Sequence, residues 1–118
     1  MSERRHHAID YVELTVTDLE EATRFYVAAF GWQFTAYGPG YAGIQDGSGD
    51  EVGGLRLAEE VRAGGPLVLL WSADLDASVA AVTRAGGQVA QGPYEFPGGR
   101  RFHFTDPSGN ELGVWAER

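Results

Sequence analysis

Residues 9–16 alternate with period two. Tyr11, Glu13 and Thr15 fall on one face and Val12, Leu14 and Val16 on the other, which predicts a strand. The period then lengthens. Leu19, Ala22, Phe25, Tyr26, Ala29 and Phe30 recur at helical spacing, behind Asp18 as N-cap with Glu21 three residues on, and ahead of Gly31 as the stop. Runs at 32–37 and 41–45, split by Gly38-Pro39-Gly40, and at 51–57 after a turn at 46–50, predict three more strands. The succession then repeats. A strand is expected at 67–71, followed by a helix capped by Asp74, carrying Leu75, Val79, Val82 and Ala85, and ended by Gly86-Gly87. Strands follow at 88–91, 100–105 and 111–115. Pro93 to Pro97 and Gly98-Gly99 read as a loop over one end of a pocket, with lid-like freedom.

The repetition extends to the residues themselves. Asp18-Leu19-Glu20 returns 56 positions later as Asp74-Leu75-Asp76. The turn Asp46-Gly47-Ser48-Gly49-Asp50-Glu51-Val52-Gly53 returns 60 positions later as Asp106-Pro107-Ser108-Gly109-Asn110-Glu111-Leu112-Gly113. Each copy is a strand, a helix and three strands, so the expected fold is α+β. Two tandem βαβββ modules, at about 7–58 and 66–117, form one curved eight-stranded half-barrel with a central cavity. A charged, glycine-bearing linker at 59–65 joins them. Modules this small share one core, so residues 1–118 read as a single domain.

Composition narrows the chemistry. Cys is absent, which removes disulfides and thiolate catalysis and is compatible with a reducing cytosol. No apolar run approaches the ~20 residues of a membrane span, so a cytoplasmic protein without membrane contact is expected. A net charge of −8 without a basic stripe argues against nucleic acid as a partner.

Three segments carry a family resemblance. They are Val12-Glu13-Leu14-Thr15-Val16-Thr17-Asp18-Leu19-Glu20, Arg24-Phe25-Tyr26 with Phe30-Gly31-Trp32, and Phe102-His103-Phe104-Thr105-Asp106-Pro107-Ser108-Gly109-Asn110. Together they resemble the vicinal oxygen chelate superfamily of glyoxalases, extradiol dioxygenases and fosfomycin- and bleomycin-resistance proteins. Tyr11-Val12-Glu13-Leu14, Gly53-Gly54-Leu55 and Glu59-Glu60 look most like a branch whose glyoxalase or bleomycin-resistance label describes fold more than activity. The resemblance implies a homodimer, sometimes with exchanged halves.

It also implies where a metal would sit. Metal-dependent relatives take four ligands, usually His or Glu, from the first and last strands of each copy. Those positions map to Tyr11, Gly53, Leu67 and Gly113. Leu and Gly side chains cannot coordinate, so neither a metal nor another cofactor is expected. A register slip of one residue would offer Glu111 and Asp10, expected on the opposite face. His6 and His7 are adjacent, point apart in a strand, and read as a solvated arm.

Parity assigns the cavity face. It takes Tyr11 and Glu13 from the first strand, Leu67, Leu69 and Trp71 from the fifth, and Trp115 from the last. Resemblance to fosfomycin-type relatives adds His103, with Arg101 beside it. Such a surface suits a small molecule with a flat ring and an acidic or carbonyl group. Arg101 would hold an anion, and Tyr11 would donate to a developing oxyanion. Glu13 and His103 would act as acid and base. An alternative pairs Glu13 with Arg101 across the cavity, and His103, Trp71 and Trp115 also fit a packing role. The leading functional expectation is metal-free binding of a hydrophobic or aromatic small molecule, as in bleomycin-resistance proteins. The alternative is a metal-free lyase, isomerase or cyclase using Glu13 and His103. A metal-dependent glyoxalase or dioxygenase ranks third, because its ligands are missing.

Overall fold

The computed structural model describes residues 6–117. The first module comprises β1 (Val12–Val16), α1 (Leu19–Phe30), β2 (Gln33–Ala36), β3 (Tyr41–Gln45) and β4 (Glu51–Leu57). The second comprises β5 (Leu69–Trp71), α2 (Leu75–Arg84), β6 (Gln88–Phe96), β7 (Gly99–Thr105) and β8 (Glu111–Ala116). Two four-stranded sheets result, ordered β1-β4-β3-β2 and β5-β8-β7-β6. In each, the first strand runs parallel to the last, and the other pairs are antiparallel.

The duplicated residues make duplicated geometry. Asp18 Oδ1 accepts the Glu21 N–H at 2.9 Å, and Asp74 Oδ1 accepts the Ala77 N–H at 3.1 Å. Gly31, at φ 71°, closes α1 with its N–H on the Tyr26 and Val27 carbonyls. Asp46 Oδ1 gathers the Ser48 and Asp50 N–H groups, and Asp106 Oδ1 gathers those of Ser108 and Asn110.

The second turn has a further task, because it seats against the first module. Asn110 Nδ2 donates to the Thr15 carbonyl at 2.7 Å, and Thr17 N–H donates to Ser108 Oγ at 3.0 Å. One core spans the junction. Val16, Phe25, Tyr26 and Leu55 pack in the same cluster as Val82, Phe102, Phe104, Leu112 and Val114. Their side chains share one face of each sheet, the helix side. The opposite, open face carries Tyr11, Glu13, Leu69 and Trp71.

Several expectations are corrected. β1 begins at Val12 and β5 at Leu69, so Tyr11 and Leu67 precede their strands. β6 continues to Phe96 where a loop was expected. Pro93 falls at a register shift between Gln91 and Tyr94, where the ladder does not need its missing N–H. Gly99 is buried within β7, so this segment is a hairpin built into the sheet and not a lid. The α2 end is as expected, with Gly86 at φ 103° one residue past the Ala85 cap.

The most consequential correction is a β-bulge. Ile44 pairs with Gly53 but Gln45 pairs with Glu51, leaving Val52 as an extra residue. The second module has no such insertion, since Phe104 faces Leu112 and Thr105 faces Glu111. Beyond the bulge the repeat offset therefore drops by one. Glu13 faces Gly54, as Leu69 faces Gly113. Gly54, not Gly53, is the equivalent of Gly113.

Candidate functional site

On the first module's open face, side chains from three strands and a turn form a tyrosine–carboxylate cluster. Tyr11 OH donates to Glu51 Oε2 at 2.9 Å and lies 2.8 Å from Tyr41 OH. Tyr37 OH donates to Glu51 Oε1 at 2.6 Å, and Tyr41 OH donates to Glu13 Oε1 at 3.0 Å. Glu13 pairs with Arg56 at 3.4 Å, and not with Arg101. Partial burial and then hydrogen bonding to Tyr41 and Glu51 push the Tyr11 phenol above its ordinary range. The Tyr37 and Tyr11 hydroxyls hold the Glu51 carboxyl below its own. Gly54 makes room for this cluster, because a Cβ there would stand 2.0 Å from Tyr41 OH and 2.7 Å from Tyr11 OH.

The second module's open face holds a different cluster. His103 is 7% exposed, with Nδ1 2.9 Å from Glu111 Oε2 and Nε2 3.0 Å from Tyr94 OH. Arg101 Nε donates to the same Tyr94 oxygen. The Arg101 guanidinium lies over the Tyr94 and Phe96 rings, 5.5 and 5.4 Å from their centroids. Glu111 thus shares the face of His103 and Gly113, two residues along the same strand, and the expectation of an opposite face is overturned. Beside this cluster, Leu67, Leu69 and Trp71 are 37, 40 and 60% exposed. Trp71 Nε1 donates to Glu117, and Trp115 packs edge-on to Phe96.

The structure therefore brings Arg101 and His103 together, with Trp115 close by through Phe96. It keeps Tyr11 and Glu13 in a separate cluster of the first module. Tyr94, Tyr41 and Glu51 were missed by sequence reasoning, and Glu111 was considered only for a shifted metal register. Only the duplicated Glu51/Glu111 pair left a signal, since both end the same turn.

The four positions where relatives hold a metal are, with the bulge counted, Tyr11, Gly54, Leu67 and Gly113. One phenol among two glycines and a leucine is not a donor set for a divalent cation. Among the described residues, no three His, Cys, Asp or Glu side chains gather as a metal site, and no buried side-chain polar atom lacks a partner. The residues do not fit the family's metal.

A cavity of about 620 Å³ opens on the helix side, between the modules. Val12, Leu14, Phe30, Trp32, Val68 and Leu70 line it, the opposite parity to the expected cavity face. It was not anticipated, because alternation alone does not say which face leaves a gap.

Comparison with known proteins places this architecture. The family model of the glyoxalase/bleomycin resistance protein/dioxygenase superfamily matches residues 8–114. The chain belongs to this superfamily. Among curated members, CFP32 of Mycobacterium bovis, a suggested glyoxylase, is 29% identical across 97% of the chain, which covers 47% of that relative. The chain thus spans about half the length of the curated relatives it first matches. A glyoxylase-like domain-containing protein of Didymella fabae is 31% identical, over 86% of this chain and 88% of its own. Among solved structures, a glyoxalase-related enzyme from Fulvimarina pelagi superimposes with a TM-score of 0.79 at 21% identity, covering 93% of this chain and 88% of that one, a likeness of fold. TnmS3, an antibiotic binding protein from Streptomyces sp. CB03234, is 27% identical with a TM-score of 0.69, covering 97% of this chain and 98% of its own. Among the described residues, no helix of this superfamily member is long and apolar enough to cross a membrane.

Proposed function

We propose that this superfamily member binds a small hydrophobic or aromatic molecule without a metal, on the open faces of its two sheets. The reading rests on one observation. The positions that hold a cation in metal-dependent relatives are filled here by Tyr11, Gly54, Leu67 and Gly113, while Leu67, Leu69 and Trp71 present apolar surface beside them. The ligand lies against that apolar patch, and Arg101 engages its acidic or carbonyl group. The likeness to TnmS3, an antibiotic binding protein, supports the same direction. Exposed apolar side chains grouped in this way are also what a second copy of the chain would cover, and the working assembly is a homodimer that closes the open faces over the ligand.

The test titrates 2-naphthoate, a flat ring bearing an acid, into protein dialysed against EDTA, alongside metal analysis and light scattering. Binding is retained without metal, falls at least tenfold in Arg101→Ala and in Trp71→Ala, and survives Val68→Phe, which fills the helix-side cavity. Stoichiometric zinc, nickel, iron or manganese, or binding lost on Val68→Phe alone, would defeat the reading.

A second reading, metal-free acid–base catalysis, is favoured by one specific contact set. His103 is held between a carboxylate and a phenol, an arrangement that plain binding does not require.

A further inference from the structure

Four of the five tyrosines are tied to carboxylates. Tyr11 and Tyr37 donate to Glu51, Tyr41 to Glu13 and Tyr26 to Asp106. All four phenols are pushed above their ordinary range: Tyr11, Tyr26 and Tyr41 mainly by burial, and Tyr37 mainly by its bond to Glu51. They are held as proton donors. Tyr94 has the opposite company, an imidazole nitrogen on one side and a guanidinium on the other.

The network fixes who donates. Arg101 Nε–H can only donate, so the Tyr94 oxygen accepts it. Glu111, as a carboxylate, can only accept, so His103 Nδ1 carries the proton that reaches it. With a neutral imidazole, His103 Nε2 is then the acceptor for the Tyr94 hydroxyl. His103 is buried with both nitrogens engaged, and cannot itself meet a ligand. Tyr94 is half-buried and stands in front of it.

We propose that Tyr94 is the proton-transfer group of this face, with His103 and Glu111 as positioning residues behind it. Its substrate is a carbonyl compound whose oxyanion or carboxylate Arg101 holds. The Tyr94 oxygen takes a proton from the carbon next to the carbonyl while its own proton passes to His103 Nε2. The C–H electron pair becomes an enolate, and the imidazolium is paired with Glu111. Returning the proton to the same or a neighbouring carbon restores every group and leaves an epimer or isomer, with no oxidant or reductant. This rests on the acid–base reading above and moves its centre from Glu13 to Tyr94.

The test needs no substrate, so its failure is distinct from failure of 2-naphthoate binding. The chain has no Lys and no Cys, which leaves tyrosines as the main targets of benzenesulfonyl fluoride. The Tyr94 oxygen attacks sulfur, fluoride leaves, and the phenol proton goes to His103 Nε2. Peptide mapping is expected to find Tyr94 labelled at least tenfold faster than Tyr11, Tyr37 or Tyr41. Tyr37, at 58% exposure, is the control for simple access. His103→Gln lowers the Tyr94 rate at least tenfold, Glu111→Gln lowers it less, and Glu111→Asp restores part of the loss. Tyr37 labelling as fast as Tyr94, or a folded His103→Gln with an unchanged rate, would overturn the proposal. Nitrogen NMR of the unmodified protein gives a check that needs no variant: His103 protonated on Nε2 and bare on Nδ1 would overturn it too.

Discussion

Tyr26 in α1 donates a 2.8 Å hydrogen bond to Asp106 Oδ2, 80 positions along the chain and in the other module. Both are buried, at 0 and 4% exposure. The other oxygen of the same carboxylate shapes the turn 106–110. One aspartate thus forms its own turn and ties it to the first module. Tyr26→Phe leaves Asn110 Nδ2, at 3.0 Å, as the remaining donor to that oxygen. It is expected to lower unfolding free energy by about 1–3 kcal/mol, the usual cost of leaving a buried polar group short of a partner. Urea denaturation measures it, and Asp106→Ala should cost more because the turn is lost as well.

Stability should fall on both sides of neutrality. Burial first, and then Asp106, raise the Tyr26 phenol above its unfolded value of about 10. Its contribution is complete below pH ~10 and is lost as pH climbs further. Glu51 and Asp46 are lowered, by hydrogen bonds led by Tyr37 and Ser48 respectively. Their contribution is present above the ordinary carboxylate range and is lost as pH falls through it. Tm measured against pH should show a neutral plateau. Tyr26→Phe should make the alkaline decline shallower and Glu51→Gln the acid one.

Two glycines with positive φ separate strain from collision. Gly109, at φ 99°, has open space where a Cβ would go. Gly99, at φ 150°, would set a Cβ 2.0 Å from the Ala116 carbonyl oxygen, a backbone atom of the neighbouring strand. Gly109→Ala is expected to cost about 1 kcal/mol from backbone strain alone. Gly99→Ala should cost clearly more and disturb the β7–β8 pairing, visible in amide exchange. Equal costs would contradict this assignment.

Phe104 of β7 lies 6.0 Å from the Phe25 ring and 5.6 Å from the Phe30 ring, both in the other module's helix. The modules should therefore unfold together. Phe104→Ala is expected to remove about 3–5 kcal/mol while keeping one transition by fluorescence and circular dichroism. Two separated transitions in the unmodified protein would show that the modules are independent.

Much of this architecture is local in origin, and so was readable along the chain. Asp18, Asp74, Asp46 and Asp106 bond backbone groups two to four residues away, and Gly31 ends α1 through its own left-handed φ. The lack of side-chain donor atoms at three of the four family positions was also readable, because Leu67 and the glycines carry none in any fold. Strand ends were less readable. The extension of β6 through Pro93 depends on a register shift that the partner strand β7 permits.

The primary structure determined the paired modules, their helices and the two-faced strands, because periodicity, caps and turns act within a few residues. Tertiary structure alone decided three things. The bulge at Val52 exchanged Gly53 for Gly54 at the family's metal position, because a register is settled only between two strands. The packing of the modules placed a cavity on the Val12, Leu14, Val68 and Leu70 side. Cross-strand pairing set Tyr94 against Arg101, and with it His103 between Tyr94 and Glu111. Partners brought together by sheet pairing leave no periodic mark on the chain, since their separation reflects the reach of intervening turns and not any repeating step of the backbone.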